Sequence, residues 1–123
     1  MDLEVIPGEF TVCKVADYGG MDLGRPFVFT GSTDEEKSLV SPTALAPKDT
    51  LAREDGWRAF RIVGVLDFSL IGILARISAC LAENGIGIFA VSTFNTDYIL
   101  TRAKDFDRAV KALREAGHAI EEK

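Results

Sequence analysis

At 123 residues, with 47% hydrophobic and 27% charged residues, the chain has material for one ordinary domain or for two small subdomains packed together. Its formal net charge of −5 opposes a phosphate backbone, which needs a basic face, so nucleic acid is not an expected partner. No run approaches the roughly eighteen apolar residues of a membrane span, and the acidic start Met1-Asp2-Leu3-Glu4 lacks a positive-then-apolar signal layout, so no membrane partner is expected and the cytoplasm is the expected compartment.

In chain order, Phe10–Val15 and Pro26–Thr30 alternate apolar and small polar residues as strands do, and Leu39-Val40 belongs to a third strand. Tyr18-Gly19-Gly20 and Asp22-Leu23-Gly24-Arg25-Pro26 are turn chemistry between them. Asp34-Glu35-Glu36-Lys37 reads as a solvated turn, Thr43–Ala46 is a short stretch between Pro42 and Pro47, and Asp49–Asp55 has room for one helical turn before Gly56. This first part is mainly β, and a soft boundary falls near Gly56. The link is short, and beyond Trp57 the chain is too apolar for a flexible tether, so the two parts are expected to pack together.

Trp57–Val65 then reads as a strand, and the turn Asp67-Phe68-Ser69-Leu70-Ile71-Gly72 leads into a helix ending at Asn84-Gly85. Ser69 has the hydroxyl of an N-cap, while Leu70, Leu74, Ile77 and Leu81 recur at helical spacing. A strand over Ile86–Thr93, the polar string Phe94-Asn95-Thr96-Asp97 and a strand over Tyr98–Arg102 come next. A second helix over Phe106–Ala116, begun by Asp105 and stopped by Gly117, leads to a last strand, His118–Glu121. The order is β-α-β-β-α-β, the ferredoxin-like arrangement, which by itself names no function. Arg61, Arg76, Arg108, Lys111 and Arg114 are expected on solvated faces.

Cys13 and Cys80 are expected as buried, reduced thiols, because neither belongs to a CxxC or lies near a histidine cluster. With His118 as the one histidine there is no zinc site and no Ser-His-Asp triad, and nothing calls for a cofactor. Asp67, Asp97, Ser92 and Thr93 are the candidates for acid, base or nucleophile, and none has an evident activating partner, so the chain reads as non-catalytic.

Two segments carry the binding chemistry. The turn Asp67–Gly72 delivers a helix start, whose unpaired amides and dipole suit a small anion such as a carboxylate, although an ordinary capped turn uses the same residues. In Ser92–Asp97, hydroxyls and an amide stand beside the Asp97 carboxylate, which suits an ammonium or guanidinium, and Phe94 could wall a pocket. A hairpin that satisfies its own backbone accounts for the same string. Together an anion site and a cation site would match a zwitterion.

The stretch from Trp57 to about Ile120, above all Val91-Ser92-Thr93-Phe94-Asn95-Thr96-Asp97-Tyr98-Ile99-Leu100, resembles the ACT domains, small amino-acid-sensing modules. Within them it is similar to the branch of the CASTOR arginine sensors and of short bacterial proteins, and the first part resembles that branch's companion subdomain. The resemblance implies an α+β fold, with a β-rich ACT-like subdomain at residues 1–56 packed against a ferredoxin-like ACT domain at 57–123. It also implies ACT units paired side by side in a homodimer, a regulated protein partner, and an amino acid bound at the junction between units. The ligand-binding role then falls on Asp67, Ser69, Leu70, Ile71 and Gly72 in the helix-start turn, and on Thr93, Phe94, Asn95, Thr96 and Asp97 in the hairpin. Many ACT domains have a shorter Asp-x-Pro-Gly turn, whereas here four residues separate Asp67 from Gly72 and none is proline. An interaction or oligomerisation module with no small ligand is the alternative.

Overall fold

In the computed structural model of the chain, residues 2–63 and 72–122 are described. They form a mixed α+β fold whose elements are β1 (Asp2–Val15), β2 (Phe29–Ser32), β3 (Lys37–Pro42), a 3-10 turn (Thr43–Leu45), β4 (Ala52–Ile62), α1 (Ile73–Glu83), β5 (Ile88–Ser92), β6 (Asp97–Arg102), α2 (Ala103–Glu115) and β7 (Ala119–Glu122). The contacts divide the chain into an N-terminal unit, Gly8–Trp57, and a C-terminal unit made of Met1–Pro7 and Arg58–Lys123. One division falls between Trp57 and Arg58, and the other falls between Pro7 and Gly8, inside β1.

In the N-terminal unit β3 lies between two antiparallel neighbours, paired with β1 from Phe10↔Pro42 to Val15↔Lys37 and with β2 from Phe29↔Val40 to Ser32↔Lys37. The expected strand at Pro26–Thr30 starts later, at Phe29, because Phe27 holds a φ of 64° that no strand residue adopts. The helical turn expected at Asp49–Asp55 does not form. The Leu51 amide instead donates to the Lys14 carbonyl at 2.7 Å, and the backbone is a strand from Ala52 onward. Cys13, Val15 and Leu39 make the small core, covered by Tyr18, Met21 and Val28. The Tyr18 hydroxyl donates to the Ser38 carbonyl at 2.8 Å. Deeply buried Thr11 donates to Asp55 at 2.6 Å and so accepts from Thr43 at 2.9 Å.

The C-terminal unit keeps the expected order: β4, α1, β5, β6, α2, β7. It also takes a strand from the chain start. Asp2–Val5 pair in parallel with Ala119–Glu122, so β7 is held by β1, while β1 also neighbours β4, β4 neighbours β6 and β6 neighbours β5. Ile73, Ile77 and Leu81 of α1 and Phe106, Ala109, Val110 and Leu113 of α2 turn their apolar stripes onto Leu3, Val5, Phe60, Ile62, Ile99 and Ile120 of the strands. α1 starts at Ile73 behind Gly72, later than an N-cap at Ser69 would place it. α2 starts at Ala103, leaving Asp105 in its first turn, where it pairs with Arg108 at 3.0 Å. Both helices stop in the same way: the amides of Gly85 and Ile86 return to Ala82 and Leu81, and those of Gly117 and His118 return to Arg114 and Leu113.

Strand alternation decides what the opposite face of this unit carries. Leu3 and Val5, Phe60 and Ile62, and Ile99 all point toward the helices. Their neighbours in sequence, Glu4, Arg61 and Tyr98, therefore project from the other side of the sheet.

Candidate functional site

Those three side chains meet. The Arg61 guanidinium donates to the Glu4 carboxylate at 2.6 Å and to the Tyr98 hydroxyl at 3.1 Å, and its carbon lies 5.9 Å from the centre of the Tyr98 ring. The Tyr98 hydroxyl first, and Glu4 after it, raise the Arg61 pKa above its ordinary value, so the guanidinium is charged at any physiological pH. Glu4 is nearly buried, with 11% of its side chain exposed against 34% for Arg61. Arg61 is thus half-buried and paired, where the sequence reading placed it on a solvated face.

The β5–β6 hairpin stands beside this group. Ser92 and Asp97 are its last paired residues, and Thr93–Thr96 make the turn. Thr93 closes it twice, its amide donating to the Thr96 carbonyl at 2.8 Å and its hydroxyl to the same oxygen at 3.0 Å. The hairpin thus satisfies much of its own backbone, as the plain turn reading requires. Thr96 is buried, and its hydroxyl donates to the Ile62 carbonyl at 2.9 Å, tying the turn to the end of β4.

A cavity of about 300 Å³ opens here, lined by Glu4, Arg61, Ile62, Val63, Thr93, Asn95, Thr96 and Tyr98. Of the expected ligand residues, Thr93, Asn95 and Thr96 come together on its wall. Asp97 does not: it is buried at 8% exposure and accepts the Ser92 hydroxyl at 2.5 Å. Phe94, expected to wall a pocket, stands clear at 102% exposure, because the turn points its side chain outward. Asp67, Ser69, Leu70 and Ile71 lie outside the described residues. Gly72 directly precedes α1 with a left-handed backbone, and its carbonyl accepts the Arg76 amide at 2.9 Å; it is not on the cavity wall.

Sequence reasoning missed Glu4, Arg61 and Tyr98. Leu3-Glu4-Val5 and Phe60-Arg61-Ile62 each set one charged residue between two apolar ones, the period-two sign of a charge on the non-core face of a strand. That signal could have been read, but not the pairing of residues fifty-seven positions apart.

A closely similar turn occurs in the N-terminal unit. The Thr33 amide donates to the Glu36 carbonyl at 2.8 Å, and Ser32 pairs with Lys37 where Ser92 pairs with Asp97. Lys37 Nζ donates to the Ser32 hydroxyl at 3.5 Å, so the charge closing the turn is reversed.

Solved structures and a family model place this architecture among known proteins. A structural-genomics protein of Agobacterium tumefaciens is 32% identical over 99% of this chain and 92% of its own, with a TM-score of 0.88. A Vibrio cholerae protein of unknown function, described as a possible transport protein, is 21% identical over 93% of this chain and 88% of its own, at a TM-score of 0.70. The regulatory subunit of aspartate kinase from Thermus thermophilus, in its ligand-free form, shares the fold at 11% identity and a TM-score of 0.64, over 94% of this chain and 96% of its own. No curated protein matches. Residues 52–115, just over half of the chain, match the model of the ACT domain. This sequence, folded into a β-α-β-β-α-β unit under two amphipathic helices, belongs to the ACT domain family.

Proposed function

We propose that the chain is a non-catalytic regulatory module that binds a small ligand, an amino acid, in the cavity beside the β5–β6 hairpin. The observation that carries this reading is the composition of the cavity wall. It sets a fixed Arg–Glu pair, two threonines and an asparagine around a space of about 300 Å³, at the lower end of small-ligand sites. Membership of the ACT family supports it, as does the likeness to a regulatory subunit of aspartate kinase. Ser92 and Asp97 are bonded to each other rather than to a histidine, which supports a role without catalysis. Binding favours one arrangement of a homodimer paired through ACT units in the cytoplasm, and a protein partner reads the difference.

The test is a thermal-shift screen of the full chain against the common amino acids at millimolar concentration. A ligand at a hundred times its Kd adds about 2.7 kcal/mol of stability, a rise of several degrees for a chain of this size. One amino acid should raise Tm selectively, and Asn95→Ala should reduce that rise. No rise with any of them removes the sensor reading.

The second reading is an interaction module without a ligand, and it is favoured by Phe94. A phenylalanine wholly exposed at a hairpin tip is a ready anchor for a partner surface. Phe94→Ala should then weaken capture of that partner while leaving Tm unchanged.

A further inference from the structure

We infer that the Glu4–Arg61 pair is the ligand-recognising element of the cavity, and that it takes a zwitterionic amino acid head to tail, the ligand's carboxylate on Arg61 and its ammonium on Glu4. The inference rests on the proposed ligand role of the cavity and adds which residues read the ligand and which charge pattern they accept.

Three observations lead to it. Among the described residues lining the cavity, Glu4 and Arg61 are the only Asp, Glu, Lys or Arg side chains. They are 2.6 Å apart, so the described residues of the wall present a dipole with no net charge among them. An anion drawn to Arg61 meets the Glu4 carboxylate beside it, and a cation drawn to Glu4 meets the guanidinium. A molecule carrying both charges a few ångströms apart satisfies both partners at once. Second, the pair is anchored rather than mobile: the Tyr98 hydroxyl accepts from the guanidinium at 3.1 Å, and Glu4 sits on a strand held by β7. A preformed dipole spends little ordering entropy on the ligand. Third, a carboxylate as enclosed as Glu4 and its half-buried arginine are costly to desolvate, and apolar residues of similar size would hold a strand pair as well. Retaining the charges makes sense where they meet charges from outside. Asn95 supplies neutral hydrogen bonds at the rim, and the apolar Val63, 41% exposed, faces the ligand's side chain.

The experiment compares the full chain with two variants, Arg61→Gln and Glu4→Gln, by calorimetric titration. The probes are the twenty common amino acids and, for each one that binds, its α-carboxamide and its des-amino acid. The native chain should bind the zwitterion at least tenfold more tightly than either singly charged analogue. Arg61→Gln should lose the preference for acid over carboxamide. Glu4→Gln should lose the preference for the amino over the des-amino compound. These are ratios within one variant, so a general loss of stability does not imitate them, and the discrimination by the native chain stands even where a variant does not fold. Native-chain binding of the analogues as tight as of the amino acid, or full discrimination kept in both variants, overturns this inference alone. Binding of none of the amino acids overturns the proposed function and this inference with it.

Discussion

Two hydroxyls show how single side chains hold the two units. Thr96 is buried and spends its proton on the Ile62 carbonyl at 2.9 Å. Thr96→Val removes that bond, and the expected cost is about 1 kcal/mol, near 4 °C in Tm. A melting curve that matches the native one would show that the bond contributes nothing. In the N-terminal unit the Thr11 hydroxyl, and after it Arg53, hold the Asp55 carboxyl below its ordinary pKa of 3.8. A carboxyl with a depressed folded pKa adds stability above its ordinary value and loses it as pH falls through the folded value. Between about pH 5 and pH 2 the Tm of the native chain should therefore fall further than that of Asp55→Asn. Parallel falls would remove Asp55 from the acid response.

At the level of elements, the helix ends are the most exacting local feature. Gly117 has a φ of 99°, and a Cβ placed there would meet nothing within 4 Å, so substitution strains the backbone without a clash. Gly117→Ala should cost about 1–2 kcal/mol, and Gly117→Asn less, in urea titrations at equal slope. Where structure is local, the sequence announces it. The stripes of α1 and α2 and the β5–β6 hairpin were legible from period 3.6, period two and the stop residues Gly85 and Gly117. Elements decided by distant partners were not. The first residues of β1 read as an acidic terminus because their partner, β7, lies at the other end of the chain. Asp49–Asp55 has a polar, turn-like composition, yet the Lys14 carbonyl and Thr11 hold it extended. Of the candidate site, the polar turn was legible, and the ion pair beside it was not.

For the whole chain, the segment matched by the family model is less than the C-terminal unit needs. That match runs over residues 52–115, whereas the unit's core includes Leu3, Val5 and Ile120. Leu3→Ala removes a fully buried side chain and should cost about 3 kcal/mol, a large share of the 5–15 kcal/mol that holds a typical domain together. A fragment beginning at Trp57 should lose the sharp melting transition of the full chain, and adding back residues 1–7 as a peptide should restore part of it. A fragment that melts as the full chain does would show β1 to be dispensable there.

The placement of the two cysteines has a practical consequence. Cys13 lies in the core of the N-terminal unit, and burial pushes its pKa up, so little thiolate is present and none is accessible until that unit opens. Cys80, half-buried on α1, has its sulfur 3.6 Å from the Ala112 carbonyl of α2 and responds to loosening between the helices. Without any label being engineered in, the rates at which a thiol reagent modifies the two positions time the opening of each unit separately, so the chain carries its own pair of clocks.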